Sequence, residues 1–145
     1  MIRLIFLITV FTIHGLSATE RPTVTAHLID TPITVDGMLD EAIWQTVQPI
    51  TEFVQRLPQD GGIPSEKSEM RILYDNNHLY FGFTFFDSEP EKVRATILNR
   101  GGWIHRDDKL EIALDTYLDR RNAYLFEMNP LGTQDDALIS DENRP

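Results

Sequence analysis

Leu79-Tyr80-Phe81-Gly82-Phe83-Thr84-Phe85-Phe86-Asp87 decides the fold. Leu79, Phe81, Phe83 and Phe85 alternate to one face, and Tyr80, Gly82, Thr84 and Phe86 to the other. A strand apolar on both faces is expected to be central in its sheet and covered on both sides. Tyr74-Asp75-Asn76-Asn77-His78 before it reads as a hairpin turn. Ser68 to Tyr74 alternates in the same way, with Met70, Ile72 and Tyr74 on one face and Glu69 and Arg71 on the other.

C-terminal to this core strand, Val93, Ala95 and Ile97 alternate towards a further strand. Asn99-Arg100-Gly101-Gly102-Trp103-Ile104-His105-Arg106-Asp107-Asp108 is a polar loop carrying an indole. Strands follow at Leu110 to Asp115 and around Tyr124 to Met128, separated by a charged turn with Asp119, Arg120 and Arg121. A weak last strand spans Gln134 to Ser140.

N-terminal to it, short strands are expected at Ala26 to Ile29, Ile33 to Val35 and Ile50 to Gln55. Asp36-Gly37 is a turn signal, because glycine enters positive φ without penalty. Leu39, Ile43 and Val47 repeat at helical spacing, with Asp40 and Glu41 at the positive end of the dipole and Pro49 as the stop. The spacing predicts one helix of about two turns over Leu39 to Val47. Trp44 lies beside the apolar stripe of that helix and is read as core rather than as a sugar platform. About seven to nine short strands with one helix and frequent turns indicate an all-β antiparallel β-sandwich.

Composition bounds the function. The chain has 145 residues, 41% of them hydrophobic, enough for one domain with a real core. A net charge of −10 argues against a nucleic-acid surface, which needs clustered Lys and Arg, and against an anionic membrane surface. The absence of cysteine removes disulfides, thiolate metal sites and a thiol nucleophile. Met1-Ile2-Arg3, the apolar run Leu4 to Ile13 and the small residues Gly15-Leu16-Ser17-Ala18 form the three-part pattern of a signal peptide over residues 1–18. The run is too short for a transmembrane helix, which needs about 20 apolar residues. An exported mature domain over residues 19–145 is therefore expected, periplasmic, outer-membrane-associated or secreted.

Several blocks then resemble a known family. Ile33-Thr34-Val35-Asp36-Gly37-Met38-Leu39-Asp40-Glu41-Ala42-Ile43-Trp44 looks like the opening signature of carbohydrate-binding module family 9-like domains. Tyr74-Asp75 with Leu79-Tyr80-Phe81-Gly82 and Asp87 is similar to their central hairpin, and Asp107-Asp108 before Glu111 to Asp115 to the next block. Asp119 to Gly132 resembles a subgroup at the N-terminus of large exported bacterial proteins, where the module precedes a long β-rich region. The resemblance implies a β-sandwich outside the cytoplasm, bound calcium in some members, and sugar stacked on tryptophan. It implies attachment to xylan- or glucan-degrading enzymes, and so further domains of a longer parent protein. Family domains continue with a closing strand pair that this sequence lacks, so a sandwich without its C-terminal strands is expected.

The residue chemistry agrees with a binding module. A sugar needs an aromatic face for its C–H side and polar forks for its hydroxyls. Trp103 with Arg100, His105, Arg106 and Asp107 supplies these types within one loop. Calcium needs several oxygens, and Asp107 and Asp108, with Asp115 or Asp119, are the candidates; the competing reading is carboxylates that cap turns or pair with arginine. Calcium is the only cofactor the resemblance brings in. Haem held by His78 or His105 with Met70 or Met128 is a weaker alternative, because both methionines sit on alternating apolar faces. No nucleophile elbow, phosphate loop or zinc spacing is present, and with 23 acidic residues a pair of carboxylates carries no signal for glycoside hydrolysis. The expectation is a non-catalytic module for a xylan- or glucan-like polysaccharide, accessory to its breakdown. The alternative is a structural or docking domain with no sugar ligand.

Overall fold

The computed structural model describes residues 22–140. The signal-peptide reading of residues 1–18 lies outside the described residues. Six strands and one short helix follow in chain order: β1 (His27–Leu28), α1 (Ala42–Thr46), β2 (Ser68–Tyr74), β3 (Leu79–Phe85), β4 (Leu110–Leu114), β5 (Ala123–Met128) and β6 (Gln134–Ile139). They form two three-stranded sheets, β1-β2-β3 and β4-β5-β6. This is the all-β class with one short helix, consistent with the sandwich read from the sequence. The described residues divide into two compact units, one built of residues 22–64 with Ser68–Thr84, the other of Ser65–Lys67 with residues 85–140.

In the first unit the core is small. Leu73 is fully buried, and Ile29, Trp44 and Val47 surround it, with Ile33, Leu39, Ile43 and Tyr80 packed at the edge. Trp44 is only 2% exposed, so it is the core residue its helical position implied. Its indole Nε1–H donates to Glu41 Oε2 at 3.0 Å, which satisfies the one polar atom that burial would otherwise orphan. Gly82 makes room for it: a Cβ there would stand 2.7 Å from Trp44 Cζ3 and 3.0 Å from Leu39 Cδ2. The glycine in an otherwise bulky strand is thus the seat of the indole.

The helix is shorter than the apolar spacing suggests. It spans Ala42–Thr46 instead of Leu39 to Val47. Glu41 and Val47 are both extended, at ψ 137° and 128°. The other oxygen of Glu41, Oε1, accepts the Thr34 N–H at 2.9 Å, which ties the start of the helix to the preceding chain. Gly37 adopts φ 86°, as the Asp36-Gly37 turn requires.

Other expectations are corrected. Ile33 to Val35 forms no strand, and Ile50 to Gln55 makes only single bridges, Ile50 with Met70 and Gln55 with Gly62. β1 pairs with β2 in parallel over two residues, so this sheet is not wholly antiparallel. β3 lies at the edge of its described sheet rather than at its centre, with Leu79 and Phe85 half exposed. On β2 both Ile72 and Leu73 are buried, at 7% and 0%, while Tyr74 at the strand's end is 39% exposed, so the strand buries residues on both of its faces. Val93 to Ile97 is not a strand: the N–H groups of Arg94, Thr96 and Ile97 donate to the carboxylates of Asp108 and Asp107 instead of to a neighbouring strand.

The hairpin turn between β2 and β3 is as read. Asp75 Oδ1 accepts the N–H groups of Asn77 and His78, both at 2.7 Å, and Oδ2 accepts the Tyr80 hydroxyl at 2.8 Å. In the second unit β4, β5 and β6 form an antiparallel meander, with Ile112 opposite Phe126 and Phe126 opposite Asp136.

Candidate functional site

The loop singled out by the sequence lies between the irregular 93–97 segment and β4, and it is anchored by a buried polar knot. Asp107 is 7% exposed. Its Oδ1 accepts the Thr96 hydroxyl at 2.8 Å. Its Oδ2 accepts the N–H groups of Thr96 and Ile97 at 2.9 and 2.8 Å and the Asn129 side-chain amide at 3.0 Å. Burial pushes the Asp107 carboxyl up, but the backbone N–H groups of Ile97 and Thr96, with the Asn129 and Thr96 side chains, outweigh it and hold the group well below the usual carboxylate range.

Asn129 and Thr133 complete the knot. Asn129 Nδ2 also donates to the Ile97 carbonyl at 2.8 Å, and its Oδ1 accepts the N–H groups of Leu131 and Thr133. The Thr133 hydroxyl donates to the same Ile97 carbonyl at 2.7 Å. Three segments are pinned together in this way: 96–97, the end of the loop, and the β5–β6 turn. Sequence reasoning passed over Asn129 and Thr133, because nothing in their local spacing distinguishes them from ordinary turn residues.

Above this anchor a 3-10 turn, Ile104–Arg106, carries the loop's outer face. Ile104 is buried, 3% exposed, and holds the turn down. Trp103 beside it is 63% exposed. The Arg106 guanidinium lies over the indole, 4.8 Å from its centroid, and the His105 ring flanks it at 5.3 Å with a tilt of 39°. An indole contacted by a guanidinium and an imidazole is oriented without being buried. The turn is tight where it begins: a Cβ on Gly102 would meet Ile97 Cγ2 at 2.6 Å and the Asn99 carbonyl at 2.8 Å.

Of the five residues proposed from sequence for ligand contact, Trp103, His105 and Arg106 come together. Arg100 turns away to an ion pair with Asp136 on β6. It thereby borders an open groove of about 440 Å³ on the β4-β5-β6 sheet, floored by Leu110, Ile112, Phe126 and Met128 and walled by Gln134 and Asp136. The alternation of the three strands was legible, but the register that builds the groove was not. Asp107 points inward to the knot.

The four carboxylates considered for calcium are engaged otherwise. Asp108 Oδ2 accepts the Arg94 N–H at 2.7 Å. Asp115 accepts the N–H groups of Asp119 and Arg120, and Asp119 those of Arg121 and Asn122. Asp107, ringed by four hydrogen-bond donors, does not fit a cation ligand: those hydrogens stand where a metal would approach. Among the described residues no three His, Asp or Glu side chains are grouped to hold a metal ion.

No helix among the described residues is long and apolar enough to cross a membrane. No curated protein and no solved structure matches the chain. The family described as carbohydrate family 9 binding domain-like matches residues 35–134, a stretch that runs from the Asp36-Gly37 turn through α1, the tryptophan loop and strands β2 to β5. The chain belongs to that family of carbohydrate-binding modules.

Proposed function

We propose that the protein is a non-catalytic carbohydrate-binding module whose contact surface is the 99–108 loop. The observation that carries this reading is the exposed indole of Trp103, oriented by Arg106 and His105 on a loop that the Asp107 knot holds in place. An exposed aromatic ring with polar groups against it, fixed before the ligand arrives, binds a sugar ring with little ordering cost. The ligand class is a xylan- or glucan-like polysaccharide. The module serves as an exported accessory domain of a larger protein in polysaccharide breakdown.

Calorimetric titration of the full chain against xylo- and cello-oligosaccharides tests the reading. Saturable binding is expected, and Trp103→Ala weakens it by about thirtyfold or more, as loss of a central aromatic anchor does. Trp103 is exposed and its side chain takes no part in the cores, so circular dichroism of the variant should match the parent. Equal binding by the variant, or no binding by the folded parent, removes the reading. The second outcome favours a docking domain, for which the half-exposed apolar row Tyr124, Phe126 and Met128 on β5 is the supporting observation.

A further inference from the structure

We propose that the Trp103 site selects anionic glycans, with Arg106 receiving the acidic group of a sugar whose ring lies against the indole. The inference rests on the carbohydrate reading of this loop and narrows its ligand class. It comes from how the charges around the loop are spent.

Two cations close to the loop in sequence are neutralised. Arg100 pairs with Asp136, and Lys109 is held by Glu111 at 2.9 Å and by Glu127. Arg106 differs from both. Its guanidinium rests on the Trp103 ring, and among the described residues it has no carboxylate partner. In a chain of net charge −10, acidic groups are plentiful, so an unneutralised arginine on an exposed aromatic ring is a distinct local feature.

The nearest carboxylates in sequence do not compensate it. Asp107 is buried and surrounded by the donors of Thr96, Ile97 and Asn129. Asp108 gives one oxygen to the Arg94 N–H, and its own N–H donates to the Arg94 carbonyl at 2.9 Å, so it faces the 94–97 segment. The positive charge beside the indole is therefore left to solvent or to a ligand.

The contact with the ring uses none of the guanidinium's N–H groups in a hydrogen bond to a carboxylate, so they remain able to donate. That planar fork matches a carboxylate with two parallel hydrogen bonds, and it also accepts a sulfate ester. A neutral sugar on the same indole would use the apolar contact but leave the charge uncompensated. A hexuronic acid or sulfated sugar uses both, which makes the acidic substituent the feature that discriminates.

The test compares matched pairs by calorimetric titration with the full chain. One arm sets a glucuronic-acid-bearing xylo-oligosaccharide against the unsubstituted xylo-oligosaccharide of equal length. A second sets a sulfated oligosaccharide against its desulfated form. The expected result is that at least one acidic member binds about tenfold or more tighter than its neutral partner. That preference should shrink as salt is raised, since the pair is solvent-exposed. Which arm shows it identifies carboxylate or sulfate.

Arg106→Gln should bring the affinity for the acidic member down to that of its neutral partner, and Arg106→Lys should restore part of the preference through charge without the fork. Equal affinity for acidic and neutral members overturns the inference but leaves the carbohydrate reading standing. So does a preference that survives Arg106→Gln. Absence of binding to any member by the folded parent overturns both.

Discussion

Asp107 is the residue on which the loop depends, and its surroundings set how each substitution behaves. Asp107→Ala orphans four donors, three of them backbone or amide N–H groups in a buried position, and is expected to lower the melting temperature by more than about 10 °C. Asp107→Asn should be milder. Its carbonyl can take the Oδ2 position, and its NH2 can face the Thr96 hydroxyl, which rotates to accept. The charge and the acceptor for the Thr96 hydroxyl hydrogen are lost, while the three N–H donors keep their partner. Thermal melts followed by circular dichroism rank the two, and a larger loss for asparagine than for alanine would refute the donor count. The sequence marked Asp107 as a ligand or metal residue because an acidic pair in a polar loop usually faces solvent. Only the fold shows that Thr96, Ile97 and Asn129 surround it.

At the scale of elements, Trp44 on α1 and Gly82 on β3 form one fitted joint. Gly82→Ala forces a methyl carbon to within 2.7 Å of a buried ring that has no room to move, because Leu73, Ile29 and Val47 share its core. The expected cost is about 1–3 kcal/mol, read as a lowered denaturation midpoint with an unchanged slope. No change would mean that the indole is not seated against β3. The β2–β3 hairpin was legible because Asn76-Asn77 between two alternating runs is a local signal, and Asp75 satisfies the turn from within it. The 93–97 segment was misread as a strand because its alternation is real. Carboxylates 10 to 14 residues away take its N–H groups, and no local pattern reveals that.

For the molecule as a whole, the depressed carboxyls set the acid limit of stability. The Asn77 backbone N–H and the Tyr80 hydroxyl, with smaller help from His78, hold the Asp75 carboxyl down at about 2, against an ordinary value of 3.8. Asp119 is lowered by the backbone N–H and side chain of Asn122 and the N–H of Arg121, and Asp107 is lowered as well. A carboxyl lowered in the folded state contributes stability that is complete above its unfolded value and is lost as pH falls through its folded value. Melting temperature should therefore be insensitive to these groups from neutrality down to about pH 5, then fall between pH 3.8 and about 2, with the Asp107 share lost last. Asp75→Asn flattens the upper part of that fall. Melts at stepped pH measure this, and a decline that begins above pH 5 would assign acid sensitivity to other groups.

The sequence by itself determined the β-rich class, the central hairpin, the buried role of Trp44 and the family. These rest on alternation, turn chemistry and ordered motif blocks, all of which are local or one-dimensional. It also placed Trp103, His105 and Arg106 within four residues of one another, close enough for any compact turn to bring them together. Tertiary structure alone decided which polar residues face inward. Asp107 and Asn129 are separated by 22 positions, and Arg100 and Asp136 by 36. The chain's own pairing of distant segments brings a carboxylate to its donors. The same residue types in the same loop therefore divide into an anchor, a neutralised pair and an open cation on an aromatic ring.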